Sequence, residues 1–439
     1  MRGAAGGANL LALRSHNTAL VLDLLRTAGG AGISRLELAE RTGLTPQAVS
    51  KITARLRGEG LAAEAGRRAS TGGKPRTVLR LVPGAGHALG VHLDRDELRA
   101  VLVDLDGTVV AERRAPLDLG AGAETVLEMV ARAAEELAAE GLGHLVAEGA
   151  RVPGAALAAA PTLLGLGVAL PGPLDHVRGV LHRITGFPGW DGYPLREALE
   201  RRLGVPVVVD KDTNAAALGL AVGGAGGERG SGAGGQRGSG AVGEGGSRAG
   251  AEWGSGAGVE AGGAGGERGG GAGAEAAGAG ARGGSFAYLH LGTGLGAGLV
   301  FGGGVHRGAR TGAGEFGHQV VQLDGPPCTC GARGCIEALC LAAVARGDLA
   351  EAARVLGTGA ANLAGLLDID LVLLGGRTVA AAPEAFVQGV GAVLDARARR
   401  EGGHDGPVPV RLAPTGTRGV AEGAAQLLLA PLFGRGEGG

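Results

Sequence analysis

Aromatic side chains are nearly missing from this 439-residue chain; Phe, Trp and Tyr together make up 2% of it. With 92 glycines beside abundant alanine, that scarcity implies close packing of small residues and low-complexity sequence somewhere along the chain. Long apolar runs are also lacking. No uncharged stretch reaches 18 apolar residues, and the opening MRGAAGGANLLALRSHN has too short an apolar block for a signal peptide. The expectation is a cytoplasmic protein with no membrane partner. Net charge is −1, which excludes a polycation and confines any nucleic-acid surface to a local patch. Only four cysteines are present, too few for a disulfide framework in a chain of this length. Three of them fall at 328, 330 and 335 in EFGHQVVQLDGPPCTCGARGC, with His318 ten residues ahead of the first. In a cytoplasmic chain such a cluster points to metal before disulfide.

What is present reads as two or three domains. Residues 17–60 are helical in three short segments, and 61–81 alternate like a small β-ribbon. From His87 the pattern becomes strand, turn, helix: ALGVHL and RAVLVDLDG as strands, ETVLEMVARAAEELAAEG as an amphipathic helix, LGLGVALPGP as a buried strand. PLREALERRLG is a helix closed by Gly204, and VPVVVD is another strand. This alternation is α/β. Residues 223–284 interrupt it: 29 of these 62 are glycine, so the segment cannot bury enough apolar area to offset its ordering entropy, and a disordered insertion is expected. Beyond it, SFAYLHLGTGLGAGLVF gives two strands around a glycine loop, ARVLGTGAANLAGLLD a helix, DLVLLGG a strand and VAEGAAQLLLAPL a closing helix.

ISRLELAERTGLTPQAVSKITARLRGEGL has the spacing of a helix-turn-helix. Ser34 and Thr45 are placed to cap its two helices, Pro46 to open the second, and Gly43 to make the turn. Val49, Ile52 and Leu56 form one apolar stripe, leaving Gln47, Ser50, Lys51 and Arg55 on other faces, where they suit base edges and phosphates. From Lys51 to Arg80 there are eight basic residues against Glu59 and Glu64. Arg67, Arg68, Lys74 and Arg76 are the basic residues of RRASTGGKPRT, a wing tip whose cations could reach phosphates or a minor groove. The competing reading is a helical packing module with a solvated basic face.

A winged helix-turn-helix ahead of LGVALPGP, PGW, KDTNAAALG, LGTGLGAG, EFGH and CTCGARGCIE closely resembles the ROK family of repressors, open reading frames and sugar kinases. The likeness runs from about residue 14 to 430, outside the glycine-rich insert. It implies a winged helix-turn-helix over 14–82 and a two-lobed, actin-like sugar-kinase fold (the ribonuclease H-like ATPase fold) over 86–222 and 285–434, with sugar bound between the lobes. It also implies that His318, Cys328, Cys330 and Cys335 hold a structural zinc ion. Three thiolates and an imidazole make a closed tetrahedral site; the alternatives are a redox pair or four unconnected residues. By the same likeness Glu315, Glu337 and the free nitrogen of His318 would bond sugar hydroxyls, with the zinc fixing the pocket's shape. Cys340, in EALCLAA, reads as a buried thiol.

Asp212 falls where the family's kinases carry their catalytic Asp, and Gly292-Thr293-Gly294-Leu295-Gly296 and Leu374-Gly375-Gly376 resemble the second phosphate motif and the adenosine region. The first phosphate motif, Asp-x-Gly-Gly-Thr in active relatives, reads HLDRDEL here over 92–98. His92 replaces the Asp, charged side chains replace glycines, and Asp94 and Asp96 would repel phosphate. Lys211 stands where many kinases have Asn, and RITGFPGW offers Thr185 and Gly186 in place of an Asn near the sugar. No catalytic residue is therefore expected, and Asp212 is expected to serve as a hydroxyl acceptor. The resulting expectation is a sugar-responsive transcriptional regulator, a repressor. Its partners would be operator DNA, a sugar or sugar-phosphate effector and further copies of itself in a homodimer or homotetramer. The alternatives are an active sugar kinase with a DNA-binding appendage, and a regulator or scaffold that has lost its ligand.

Overall fold

The computed structural model describes residues 16–68, 76–143, 162–184, 186–223, 284–402 and 406–435. The insertion expected over 223–284 lies outside these residues except for Gly223 and Gly284; Lys74 and Thr185 lie outside them too.

The chain opens with helix α1 (His16–Ala28), the short strand β1 (Ile33–Ser34), helices α2 (Arg35–Thr42) and α3 (Pro46–Gly58), and strands β2 (Ala62–Arg68) and β3 (Arg76–Leu81). Local chemistry sets each boundary. The Ser34 hydroxyl accepts from the Glu37 N–H while the Glu37 carboxylate accepts from the Ser34 N–H, a reciprocal cap on α2. Gly43 ends α2 in the left-handed region at φ 69°. Thr45 then accepts from the Ala48 N–H and Pro46 occupies the first turn of α3, where no amide hydrogen is needed. The three strands pair antiparallel in the order β1-β3-β2, completing a winged helix-turn-helix.

Two five-stranded sheets follow, each built to the same plan. The first contains β4 (His87–Leu93), β5 (Glu97–Asp104), β6 (Val109–Pro116), then, after helix α4 (Ala123–Leu142), β7 (Leu163–Leu170). A small ribbon, β8 (Leu174–Asp175) with β9 (Val180–Leu181), precedes helix α5 (Leu195–Leu203), strand β10 (Val207–Lys211) and helix α6 (Asp212–Gly223). The second sheet contains β11 (Phe286–Leu291), β12 (Leu295–Phe301) and β13 (Gly304–His306). Helices α7 (Ile336–Ala345) and α8 (Leu349–Leu367), strand β14 (Leu371–Gly375), helices α9 (Arg377–Ala381) and α10 (Pro383–Glu401), strand β15 (Val410–Leu412) and helix α11 (Gly419–Leu429) complete the chain. The orders are β10-β7-β4-β5-β6 and β15-β14-β11-β12-β13; in both, two antiparallel hairpin steps are followed by two parallel crossovers. Neither β6 nor α10 was foreseen from the sequence.

The outer face of the first sheet packs on α4 and α5 through Leu89, Val91, Val130 and Leu199, and that of the second on α7, α8 and α10 through Leu289, Ile336, Leu356 and Phe386. Between the sheets lie α6 and α11, which cross closely at Ala215, Gly219 and Gly423. A Cβ added to Gly167 would strike the Ala424 carbonyl oxygen, one on Gly90 that of Ala421, and one on Gly423 that of Ala215. Here the heavy use of glycine has its physical reason: helix and sheet backbones meet directly, with no room for a methyl group. The same α11 and the 3-10 turn Ala430–Phe433 after it continue an apolar face into the winged helix, where Ala425, Leu428, Leu432 and Phe433 share one core with Leu22, Leu25, Val49 and Leu79.

Candidate ligand cleft, metal centre and basic helix

A cleft opens between the lobes at the carboxyl ends of the central strands. It is lined by Asp212, Glu315, His318 and Glu337, the four residues expected to meet a sugar, and also by Asp94, Arg95, Lys211, His290 and the 293–296 loop. Asp212 stands at the start of α6 and accepts from the Thr213 N–H at 2.6 Å. Glu337 sits in the first turn of α7, only 8% exposed, and its Oε2 accepts from the Leu295 N–H at 2.9 Å. One carboxylate oxygen is thereby fixed while the group keeps further acceptor capacity.

Glu315 is less free than the sequence suggests. The Lys211 ammonium, 3% exposed, donates to its Oε1 at 3.1 Å and also to the Ala313 carbonyl. The neighbouring Asp210, 1% exposed, accepts from the Lys211 N–H, from Asn214 Nδ2 at 2.9 Å and from Arg307 Nε at 2.7 Å. Both pairs join β10 of the first lobe to the segment between β13 and the 3-10 turn Phe316–His318 of the second. Sequence reasoning noticed Lys211 as a departure but gave Asp210 and Arg307 no part; residues 97 positions apart leave no local signal of their pairing.

His318, Cys328, Cys330 and Cys335 come together, with one ligand atom from each lying within 4.8 Å of every other. Cys330 Sγ stands 3.7 Å from Cys335 Sγ, and Cys328 Sγ 3.7 Å from His318 Nδ1. Tetrahedral zinc with Zn–S bonds of ~2.3 Å sets neighbouring sulfurs ~3.8 Å apart, whereas a disulfide needs ~2 Å, so the spacing fits a four-coordinate metal. Gly334, at φ 68°, lets the loop fold: a Cβ there would strike the Gln322 carbonyl oxygen. Because Nδ1 faces the sulfurs and the residue lines the cleft, a metal at this position would fix the imidazole that the cleft sees. Cys340 is set apart, buried with its thiol against the Ala352 carbonyl, and burial pushes that thiol up to about 12.

The 92–98 turn is filled by protein. His92 is buried, and burial holds its imidazole below the ordinary value against the pull of Asp212 and Asp94, so it is neutral near pH 7. Asp94 accepts from Thr293 Oγ1 at 2.7 Å and lies 3.6 Å from Arg377, whose Nη1 donates to Asp96 at 2.9 Å. Arg95 reaches the cleft beside Phe187, with its guanidinium carbon 5.8 Å from the ring centroid.

On α3, Gln47, Ser50 and Lys51 are exposed on one face, opposite buried Val49 and Leu56 and half-buried Ile52. Arg55 stands at the edge of that face, and its Nη2 donates to Thr18 Oγ1 of α1 at 2.7 Å. It braces α3 against α1 as well as adding charge. Arg76 is exposed at the start of β3.

A two-lobed sugar-kinase-like α/β body with a ligand cleft, joined to a winged helix-turn-helix, is the class of protein this fold and cleft define. The chain belongs to the ROK family, whose model matches residues 88–230 and 269–346, half of the sequence. Among solved structures it resembles a ROK family transcriptional regulator homologous to the Escherichia coli MLC protein (17% identity, 95% of this chain and 97% of that one, TM-score 0.62). It also resembles the ROK hexokinase of Thermus thermophilus (27%, 77% and 96%, TM-score 0.50). Among sequences it is 26% identical over 308 residues to a putative xylose repressor of Caldicellulosiruptor sp. strain Rt8B.4, covering 70% of this chain and 59% of that protein. The chain thus spans about three fifths of the length of the curated repressors it matches. Among the described residues, no helix is long and apolar enough to cross a membrane.

Proposed function

We propose that this protein is a sugar-responsive DNA-binding transcriptional regulator, a repressor of carbohydrate-related genes. The observation that carries the reading is the continuous apolar core linking Val49 and Leu56 of the recognition helix to α11, the helix packed between the two lobes. A ligand that changes the lobe arrangement thereby acts on the element that presents Gln47, Ser50, Lys51 and Arg55, and in the wing Lys74 and Arg76, to DNA. An effector that binds one arrangement ~1–3 kcal/mol better shifts operator occupancy substantially.

In this reading residues 14–82 bind a palindromic operator as part of a homodimer or homotetramer, and 86–222 with 285–434 form the sensor. Asp212, Glu315, Glu337 and His318 accept or donate to the hydroxyls of a sugar or sugar phosphate. His318, Cys328, Cys330 and Cys335 hold one structural zinc, with no open position for catalysis. This reading includes no phosphotransfer: the turn that carries phosphate-binding glycines in active relatives holds Asp94 and Asp96, both paired with Arg377, and Lys211 is paired with Glu315. Its work would be done in the cytoplasm.

The test is genomic binding-site mapping, followed by anisotropy titration of the recovered sites with and without common sugars, xylose first. The reading expects sequence-specific affinity that weakens steeply with salt and shifts with one sugar. Salt-sensitive affinity no greater than for random DNA overturns it. Steady ADP release in a coupled assay across hexoses would favour the kinase instead.

A further inference from the structure

We propose that Asp94 and Asp96 on one lobe, with Thr293 and Arg377 on the other, form a clasp that holds the cleft closed, so that closure in this protein is maintained by its own side chains rather than by a bound nucleotide. The inference does not depend on the identity of the effector or the operator.

The two halves of the clasp are each built before they meet. On the first lobe the β4–β5 turn is locked by the Asp94 N–H donating to the Glu97 carbonyl at 2.8 Å and by Asp94 Oδ1 accepting from the Arg95 N–H at 2.8 Å. On the second lobe Arg377 opens α9 directly after β14, and Thr378 Oγ1 donates to the Gly292 carbonyl at 3.3 Å, tying that helix to the loop that carries Thr293. Across the gap, Thr293 Oγ1 donates to Asp94 Oδ1 at 2.7 Å and Arg377 Nη1 to Asp96 Oδ2 at 2.9 Å, with Nη2 3.6 Å from Asp94 Oδ2. Nothing in these three contacts stabilises either lobe alone; each spans the cleft.

Exposure ranks the contacts. Asp96 is 60% exposed and Arg377 42%, so their pair is screened by solvent and contributes little by itself. Asp94 is 15% exposed and takes both the hydroxyl and the guanidinium, so it carries the clasp. The second set of interlobe bonds, Asp210–Arg307 and Lys211–Glu315, lies at the end of β10. In the sheet β10 is two strands from β4, about 10 Å away at ordinary strand spacing. Two ties at that separation resist rocking about the α6–α11 crossing, which one tie would leave free. The charged residues of HLDRDEL thereby find a use: a loop that no longer suits phosphate has become the movable end of a latch.

The experiment is hydrogen–deuterium exchange on the full-length, metal-loaded protein, reading peptides that cover 92–98 and 290–296. Arg377→Ala is compared with Arg377→Lys, with Asp94→Asn, and with Arg418→Ala, which removes ion pairs to Glu112 and Glu422 outside the cleft. The expected result is roughly tenfold faster exchange in both peptides for Arg377→Ala and Asp94→Asn, a smaller rise for Arg377→Lys, and no change in either peptide for Arg418→Ala. Unchanged exchange in Arg377→Ala and Asp94→Asn overturns the clasp. So does a rise confined to one lobe's peptide, which would make these bonds internal supports of that lobe.

Discussion

The guanidinium carbon of Arg26 stands 4.1 Å from the centroid of the Phe433 ring, so the first described helix and the last described turn of the chain meet face to face. Asp23 reinforces the contact, bonded to Arg435 at 2.8 Å and to Arg26 at 3.3 Å. Burial draws the Arg26 guanidinium below its ordinary value while Asp23 holds it up, and Phe433 is 3% exposed. The winged helix is therefore seated on the body by a buried cation–π and ion-pair contact within a shared core, not hung from a linker.

Phe433→Ala removes the centre of that seat. Loss of a buried phenyl costs about 3–5 kcal/mol at sites that relax poorly. The expected outcome in calorimetry is a lower first transition that separates from the second, as the winged-helix module melts independently. A single transition at the wild-type temperature would show that the module is held by something else.

Arg307→Met leaves the Asp210 carboxylate buried with its charge uncompensated, and a loss of about 3–5 kcal/mol is expected. Adding Asp210→Asn to it should recover much of that loss, because Asn214 and the Lys211 N–H can still bond the amide oxygen. The check is a double-mutant cycle by denaturant unfolding monitored on Trp190. Additive losses would mean that the two side chains do not support each other.

Much of this architecture was legible in the sequence because local chemistry wrote it. Ser34, Gly43, Thr45 and Pro46 mark helix ends whatever lies around them, and the Cys328–Cys335 spacing points to a side-chain cluster that could hold a metal before any fold is known. The strand β6 was not legible: in VVAERRAP only Ala111 is buried, so this edge strand lacks an apolar alternation to read. Helix α10 carries just Phe386, Val390 and Leu394 as its buried stripe among alanines and arginines, too thin a signal to stand out. The cleft was half legible. Asp212, Glu315, His318 and Glu337 do converge, but the cross-lobe partners of Asp94, Asp96, Asp210 and Glu315 could not be read, since Arg377 and Arg307 lie far away in sequence and only the fold brings them close.

Gly167→Ala and Gly391→Ala are the same chemical change with opposite expected signs. At Gly167 the new methyl would strike the Ala424 carbonyl oxygen in the layer between sheet and α11, and overpacking of this kind costs about 1–3 kcal/mol or more. At Gly391, inside α10 with open space around it, alanine should stabilise by up to about 1 kcal/mol through helix propensity. Melting temperatures of the two variants on the same day decide the matter. If both fall, the open space at Gly391 is filled in solution, as it would be were α10 a contact between copies.

Cys330→Ser isolates the metal from the fold, because Cys330 is the one exposed member of its cluster while Cys328 and Cys335 are buried. A hydroxyl is a far poorer zinc ligand than a thiolate, and the remaining three groups would no longer close the tetrahedron. Elemental analysis should find one zinc per wild-type chain and much less than one in the variant. With the ion gone, His318 would lose the bond that orients its ring toward the cleft, and the loop from 319 to 335 would be left to its backbone bonds, among them Val321 N–H to the Gly334 carbonyl, Cys328 N–H to that of Ala332 and Gly334 N–H to that of Pro326. A loss of a few kcal/mol would lower the melting temperature by roughly 5–10 °C in a body of this size, and chelation of the wild type should reproduce the shift. Full zinc content in Cys330→Ser, or a chelated wild type that melts unchanged, would count against a structural metal and leave the four side chains as a cluster of thiols beside a histidine.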